Sequence, residues 1–509
     1  MIDATPLLRL YARSRLARLR AQDPATAQQR TLLDLVSGAA HTQFGRDHDF
    51  AGIRTVADYQ ARVPLRRYAD FWKGYWSKAF PVLTDVTWAG RMPYFAFTSG
   101  TSAGSSKHIP VSKAMVAANR RAALDVLVHH VANRARSRVL AGPALILGGS
   151  TDLRTMEGGA RQGDLSGIAA WEVPAWARPW TFPPPALALE ADWEGKIDRL
   201  ARAAPGHAIR SISGTPGWVM LFLERAGQIA GQPPAMLFPQ LELYIHGGVA
   251  FGPYRARFAG LLAGCPAETR EVYAASEGFI AVADRTPSDG MRLLLDNGLF
   301  FEFVPVDEVD AAAPARAWIA DVATGTEYAM VLSSCAGLWS YVLGDTVRLV
   351  SRDPPRLVVT GRLSYMLNVF GEHLSGEQIE HAVLAAAAGR TVGEYAAGAI
   401  FPEGSSRGRH VFVVETAAAP AGFAPALDRA LSAASLDYRE RRAGDLGLDP
   451  PEVLAVPPGF FTEWMKSRGR LGGQNKVPRV INDAETLAGL VERARGVDGR
   501  VKPGHADKR

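Results

Sequence analysis

Short apolar runs bounded by glycine or proline recur along this chain, and helical stretches separate several of them. The runs are Ala144–Leu147, Leu241–Ile245, Val272–Ala275, Met330–Leu332, Val347–Val350 and Leu357–Val359. Apolar runs this short suit buried strands. Stretches with helical spacing, such as Lys196–Ala203 and Trp218–Ala230, lie between them. Strands alternating with helices argue for α/β layers. At 509 residues the chain is too long for one ordinary core.

The N-terminal segment to Ala40 reads as helix, with Leu7, Leu8, Leu10, Tyr11, Leu16 and Leu19 at helical spacing. Arginines at 9, 13, 15, 18 and 20 make it a basic amphipathic surface helix, not a secretory signal. Residues 113–138 read as another long helix. Pro174 to Pro185 holds five prolines and two tryptophans and is expected to be irregular, either a pocket wall or a packed connector. The pattern changes at Gly361-Arg362. Beyond it come a helix (Glu377–Ala388), a strand (Val411–Glu415), a helix (Ala424–Ala434) and late turns, which make a smaller α+β domain. The expected division is residues 1–361, residues 362–499 and a disordered polar tail at 500–509.

Composition excludes several classes. No apolar run reaches the ~18 residues of a membrane span. The net charge of +6 is spread through an Ala/Arg-rich background, with no basic run interleaved with aromatics. A small anionic substrate explains local positive charge more simply than nucleic acid does. Two cysteines, Cys265 and Cys335, build neither a disulfide framework nor a metal site, and fit a cytoplasmic protein. His129-His130 is the one histidine pair, and neighbours on a helix point in different directions.

The richest chemistry lies between Phe97 and Pro110. Thr98, Ser99, Gly100, Thr101, Ser102, Gly104 and Lys107 concentrate hydroxyls, glycines and one ammonium in a single short loop. Glycines let backbone approach an anion closely, and free N–H groups and hydroxyls surround phosphate oxygens. Lysine supplies a point charge. The spacing is not that of the common P-loop, and a plain surface turn remains the other reading. Further motifs follow in order: Gly247-Gly248, Tyr273-Ala274-Ala275-Ser276-Glu277, Tyr341-Val342-Leu343-Gly344-Asp345 and Gly361-Arg362. After these come Gly371-Glu372 with Glu377 and Glu380, and then Gln474-Asn475-Lys476-Val477-Pro478-Arg479.

This order resembles the adenylate-forming superfamily of acyl-CoA ligases, peptide-synthetase adenylation domains and luciferases. Within it, the wording of the motifs is similar to the acyl acid-amido synthetase family, first known as auxin-responsive promoter proteins in plants and with bacterial members. The branch markers are the Thr-Ser-Gly-Thr-Ser loop running to Lys and Ile-Pro, the Ser-Glu ending of the tyrosine motif, and the late Gln-x-Lys-x-Pro-Arg. The resemblance spans roughly residues 30 to 480.

The resemblance implies a large multi-layered α/β adenylate-forming domain and a smaller mobile α+β domain hinged near Gly361-Arg362. It implies ATP and Mg²⁺ as cofactors, with a carboxylic acid and an amine or amino acid as substrates. By the same resemblance, Thr98 to Lys107 hold the β- and γ-phosphates, Glu277 associates with magnesium, and Ser276 lies near the α-phosphate. Tyr273 stacks near adenine, Gly247-Gly248 admit the base, and Asp345 and Arg362 reach the ribose or phosphate. Lys476 bridges carboxylate and α-phosphate, with Lys466 a nearby competitor for that role. Where many superfamily members carry Asp two residues after Gly-Arg, this chain has Ser364. The implied activity is acyl-AMP formation followed by amide formation. An acyl-CoA ligase and a non-catalytic nucleotide-binding protein are the alternatives.

Overall fold

A computed structural model describes residues 2–98, 107–148, 153–188, 193–249, 251–285, 289–363, 367, 374–400, 408–416, 422–435, 438–439, 442, 448–469 and 477–498. The expected tail at 500–509 lies outside them. The chain divides into two compact units, one built from Met1–Val359 and the other beginning at Thr360.

In the first unit a four-stranded sheet is built from β1 (Tyr94–Thr98), β2 (Lys107–Val111), β4 (Arg154–Thr155) and β5 (Arg161–Gly163), in the order β2-β1-β5-β4. A larger sheet of twelve strands, counted among the described residues, takes up β3 (Ala144–Leu147), β6 (Thr181–Phe182), β7 (Ser211–Gly214) and β8 (Leu243–Gly247). It continues through β9 (Glu268–Ala275), β10 (Gly278–Val282), β11 (Met291–Leu293), β12 (Leu299–Pro305) and β13 (Ala317–Trp318), and then β14 (Glu327–Ser334), β15 (Tyr341–Arg352) and β16 (Pro355–Arg362). Its order is β13-β12-β14-β15-β16-β11-β10-β9-β8-β7-β3-β6. The β6, β3, β7, β8 and β9 end is parallel. Parallel strands need crossovers, and helices Trp193–Ala203 and Pro216–Ala230 supply them between β6 and β8. The antiparallel half is joined by shorter connections.

Each expected strand and helix is present, with longer bounds for most strands. The N-terminal stretch breaks into two helices, Thr5–Arg20 and Pro24–Ala39, because Asp23 caps the second and Pro24 opens it. Leu8 and Leu19 are buried, whereas Leu7 and Leu10 are exposed. The long helix runs Lys113–Asn133, opened by the Ser112 side chain accepting the Met115 N–H. Residues 174–185 are not wholly irregular: a 3₁₀ turn (Ala175–Trp180) leads into β6. Trp171 and Trp176 are exposed, so neither is core.

Long-range ion pairs tie these layers together. Arg15 joins Asp125 at 2.7 Å and Asp296. Buried Glu268 accepts from His130 at 2.7 Å, from Arg134 at 2.9 Å and from Arg270 at 2.6 Å. Burial alone raises the Glu268 pKa. The hydrogen bonds from His130 and Arg134 and the Arg270 charge outweigh it and hold the group at about 2. A carboxylate depressed from 4.5 stabilises the fold above its unfolded pKa, and that contribution is lost as pH falls from about 4.5 toward 2. Acid unfolding followed by circular dichroism is therefore expected to show a limb in this window, on the order of 2–3 kcal/mol, that Glu268→Gln removes.

The second unit holds a three-stranded sheet, β17 (Tyr395–Ile400), β18 (Arg409–Glu415) and β19 (Glu452–Val456), with β18 central. The helices Gly376–Ala387 and Phe423–Ala434 share one core with it, and Phe460–Ser467 and Ala484–Asp498 share another. The expected late turns thus include a strand and two helices. Among the described residues no helix is long and apolar enough to cross a membrane.

Candidate active site

The Ser/Thr/Gly loop is bracketed by an antiparallel hairpin. Thr98 at the end of β1 is opposite Lys107 at the start of β2. Ser99, Gly100, Thr101, Ser102 and Gly104 lie outside the described residues, as does the Thr98 side chain. Lys107 is half-buried, and its Nζ stands 5.7 Å from the centroid of the Tyr68 ring. The Tyr68 hydroxyl accepts the His108 N–H at 3.0 Å, which ties the ring to the base of the hairpin. Burial raises the Tyr68 pKa.

Gly247 ends β8, where a Cβ would stand 2.3 Å from the Val272 carbonyl oxygen. Gly248 has φ +81. Close strand approach and a left-handed turn therefore account for this pair by themselves. β9 runs on to Ala275, and β10 starts at Gly278, which pairs with Ala275. Ser276 and Glu277 are thus the two tip residues of a β-hairpin. Glu277 therefore stands at a strand-to-strand turn and not at a helix N-terminus. Gly278, at φ +155, packs where a Cβ would meet Leu299 at 2.8 Å.

Asp345 sits in a bulge. β14 and β15 pair Val331 with Val342 and Ala329 with Thr346, so residues 343–345 oppose Met330 alone. Gly344 takes φ +95 within it. Bulges re-aim side chains and are enriched beside active sites. The start of β15 is clamped from two sides. Ser340 donates its N–H to Ser333 Oγ at 2.9 Å and its Oγ to Glu302 at 2.9 Å, and Arg316 pairs with Glu302 at 2.8 Å. On the other side, Arg66 exchanges backbone bonds with Ser340 and Val342. That exchange brings the Arg66–Tyr68 segment to Tyr341.

These placements bring five groups together. Tyr273 donates to Asp345 at 2.8 Å. The Tyr341 hydroxyl lies beside the Glu277 carboxylate, with Tyr68 and Asp345 also close enough to act on it. Tyr273, Glu277, Tyr341 and Asp345 are all buried. Tyr273, expected for its ring, thus also has its hydroxyl engaged. Tyr68 and Tyr341 carried no expected role. The one available signal was the repeated spacing of tyrosine and carboxylate in two motifs.

Arg362 ends β16, whose last three residues lie past the division at Val359, and is half-buried. Glu377 and Glu380 lie on the helix Gly376–Ala387, and burial, the main cause, raises the Glu380 pKa. Ser364, Gly371, Glu372, Gln474, Asn475 and Lys476 lie outside the described residues. Lys466 is exposed on the helix Phe460–Ser467. Arg479 pairs with Glu394 at 2.8 Å and covers the Tyr395 ring at 4.3 Å, so packing accounts for it.

Family models match most of the chain in three consecutive pieces. These are the GH3 family N-terminal domain (residues 16–199), the GH3 family central domain (292–362) and the GH3 family C-terminal domain (377–485). Over 258 residues the chain is 30% identical to "Indole-3-acetic acid-amido synthetase GH3.8" of Oryza sativa subsp. indica, covering 46% of this chain and 41% of that one. Over 345 residues it is 26% identical to "Probable indole-3-acetic acid-amido synthetase GH3.4" of Oryza sativa subsp. japonica, covering 60% and 50%. The matches thus span half or less of the length of these curated relatives. Among solved structures, "GH3.15 acyl acid amido synthetase" superposes with a TM-score of 0.78 at 18% identity, covering 94% of this chain and 95% of that one. A 2-hydroxyisobutyryl-CoA ligase in the postadenylation state, in complex with 2-HIB-AMP, gives a TM-score of 0.62 at 17% identity, covering 94% of both. The α/β architecture is therefore that of GH3 acyl acid amido synthetases and adenylate-forming ligases.

Proposed function

We propose a reaction for this chain, which belongs to the GH3 family: ATP-dependent adenylation of a carboxylic acid, then transfer of the acyl group from acyl-AMP to an amine or amino acid. The observation that supports it is the convergence of two buried carboxylates from separate motifs, Glu277 beside Tyr341 and Asp345 bonded to Tyr273, in the same unit as the lysine that follows the Ser/Thr/Gly segment. The relatives' names point the same way.

The chemistry needs charge handling. A carboxylate does not react with amines at neutral pH, so it attacks the α-phosphate of ATP and displaces pyrophosphate, and the amine then attacks the acyl carbon of the acyl-AMP and displaces AMP. Positioning and electrostatic stabilisation do most of that work. In this reading Lys107 and the loop Thr98, Ser99, Gly100, Thr101, Ser102 and Gly104 hold the β- and γ-phosphates. Asp345 holds the ribose, because a carboxylate accepts from two hydroxyls, and Arg362 is assigned to the ribose or phosphate. Tyr273 and Gly247-Gly248 border the base, and Ser276 lies near the α-phosphate. Lys476 serves the adenylation step. The unit boundaries of residues 1–361 and 362–499 belong to this reading, with the smaller unit moving between half-reactions.

Mg²⁺ fits the donor set. It prefers hard oxygens and is usually held by one or two carboxylates plus substrate phosphates. Glu277 offers such an oxygen at a hairpin tip, beside the Ser276 hydroxyl. When bound, the ion neutralises phosphate charge. We assign the protein to the cytoplasm, which suits its two free thiols, Cys265 and Cys335.

The test is ATP–pyrophosphate exchange with a panel of carboxylic acids, followed by product analysis. Hydroxamate or amide with an amine supports the reading, thioester with CoA replaces it by a CoA ligase, and ATP binding without exchange replaces it by a binding protein. Asp345→Ala is expected to raise KM for ATP more than it lowers kcat, because ribose contacts persist from ground state to transition state. Calorimetry showing parental ATP affinity would remove Asp345 from the site.

A further inference from the structure

Two segments of this chain share one pattern: a tyrosine, three residues, then a carboxylate. They are Tyr273-Ala274-Ala275-Ser276-Glu277 and Tyr341-Val342-Leu343-Gly344-Asp345. In the fold they are set crosswise. Tyr273 Oη donates to Asp345 Oδ2 at 2.8 Å, across 72 residues of sequence. The Tyr341 hydroxyl lies beside the carboxylate of Glu277. All four side chains are buried, Tyr341 to 1% exposure and Glu277 to 9%.

The crossing has a geometric cause. Residues four apart along an extended strand lie ~13 Å from one another, beyond the reach of a phenol to its own segment's carboxylate. The hairpin tip after β9 and the bulge in β15 turn each carboxylate toward the other segment instead.

We propose that Tyr273 and Tyr341 form a reciprocal brace of positioning residues, in which Tyr341 orients Glu277 for the metal and Tyr273 orients Asp345 for the nucleotide. This rests on the roles given to Glu277 and Asp345 above. A phenol suits the task. It donates one hydrogen bond and fixes the carboxylate plane without cancelling the negative charge, whereas Arg or Lys would neutralise it and weaken cation binding. The brace also couples the two subsites, because each carboxylate is held by the motif that carries the other.

The signature is a crossed phenotype in ATP–pyrophosphate exchange. Tyr341→Phe is expected to raise the Mg²⁺ concentration for half-maximal rate about tenfold and to leave KM for ATP at saturating Mg²⁺ near the parental value. Tyr273→Phe is expected to do the reverse, raising KM for ATP about tenfold, the size of a lost charge-assisted hydrogen bond. Parental values in both variants, or effects confined to each tyrosine's own motif, overturn the brace. Glu277→Gln and Asp345→Ala run alongside. If those two leave Mg²⁺ and ATP dependence unchanged, the site reading has failed and the brace loses its purpose. Whether it exists is then read from melting temperatures of Tyr341→Phe, Glu277→Ala and the double variant. Shifts that fail to add support the bond, and additive shifts refute it.

Discussion

Lys107→Ala is expected to lower ATP–pyrophosphate exchange by about 10²–10³-fold, the size seen when one preorganised electrostatic donor is removed from a reacting centre. The fold is expected to survive. Lys107 is only half-buried, at the first position of β2, and its contact with the Tyr68 ring at 5.7 Å is a weak one. Such cation–π contacts are worth about 0.5–1 kcal/mol at exposed sites. A large loss of rate with a melting temperature close to the parent therefore separates phosphate binding from a structural role. Lys107→Arg is expected to rescue little, because a planar guanidinium does not reproduce the compact point charge of an ammonium. Parental exchange by Lys107→Ala would reduce the loop to a surface turn.

The parts of this molecule that were legible in its sequence are those set by local pattern. Ala144–Leu147 is a strand because four apolar residues between Leu140–Pro143 and Gly148 leave room for nothing longer. Gly376–Ala387 is a helix because Ser375 and Gln378 cap each other's backbone and the apolar spacing follows. The Tyr273–Glu277 and Tyr341–Asp345 motifs could be read as sites, but not as partners. Their bond depends on a hairpin tip two residues long and a bulge at Gly344, and both are consequences of sheet register. Register is decided by which long-range face is buried, and no local window contains that information. Tyr68 was missed for a related reason. It stands beside Lys107 because its hydroxyl accepts the His108 N–H, and near Tyr341 because backbone bonds join Arg66 to Ser340 and Val342. In the second unit, the helix Ala484–Asp498 escaped notice because its apolar positions are interrupted by charged ones, whereas β19 was overlooked although Val453–Val456, between Pro451 and Pro457, is the same kind of short apolar run as Ala144–Leu147.

Lys476→Ala is expected to separate the two half-reactions. The resemblance to adenylate-forming enzymes gives a late lysine of the smaller domain to the first step, where it bridges the carboxylate and the α-phosphate. Two anions are brought together there and charge shifts from the carboxylate onto the α-phosphate oxygens, so a cation between them stabilises the transition state more than the ground state. ATP-driven activation should then fall by about 10²-fold or more, the cost of one such donor. Amide formation from a supplied, presynthesised acyl adenylate should continue near the parental rate, since the phosphate charge is already set in that intermediate. Lys466→Ala is the companion variant: Lys466 is exposed on the helix Phe460–Ser467, only ten residues upstream of Lys476. Activation lost with Lys466→Ala and kept with Lys476→Ala would transfer the role. Equal loss of both half-reactions in Lys476→Ala would mean that the lysine shapes the site as a whole, and loss of neither would leave it a surface residue.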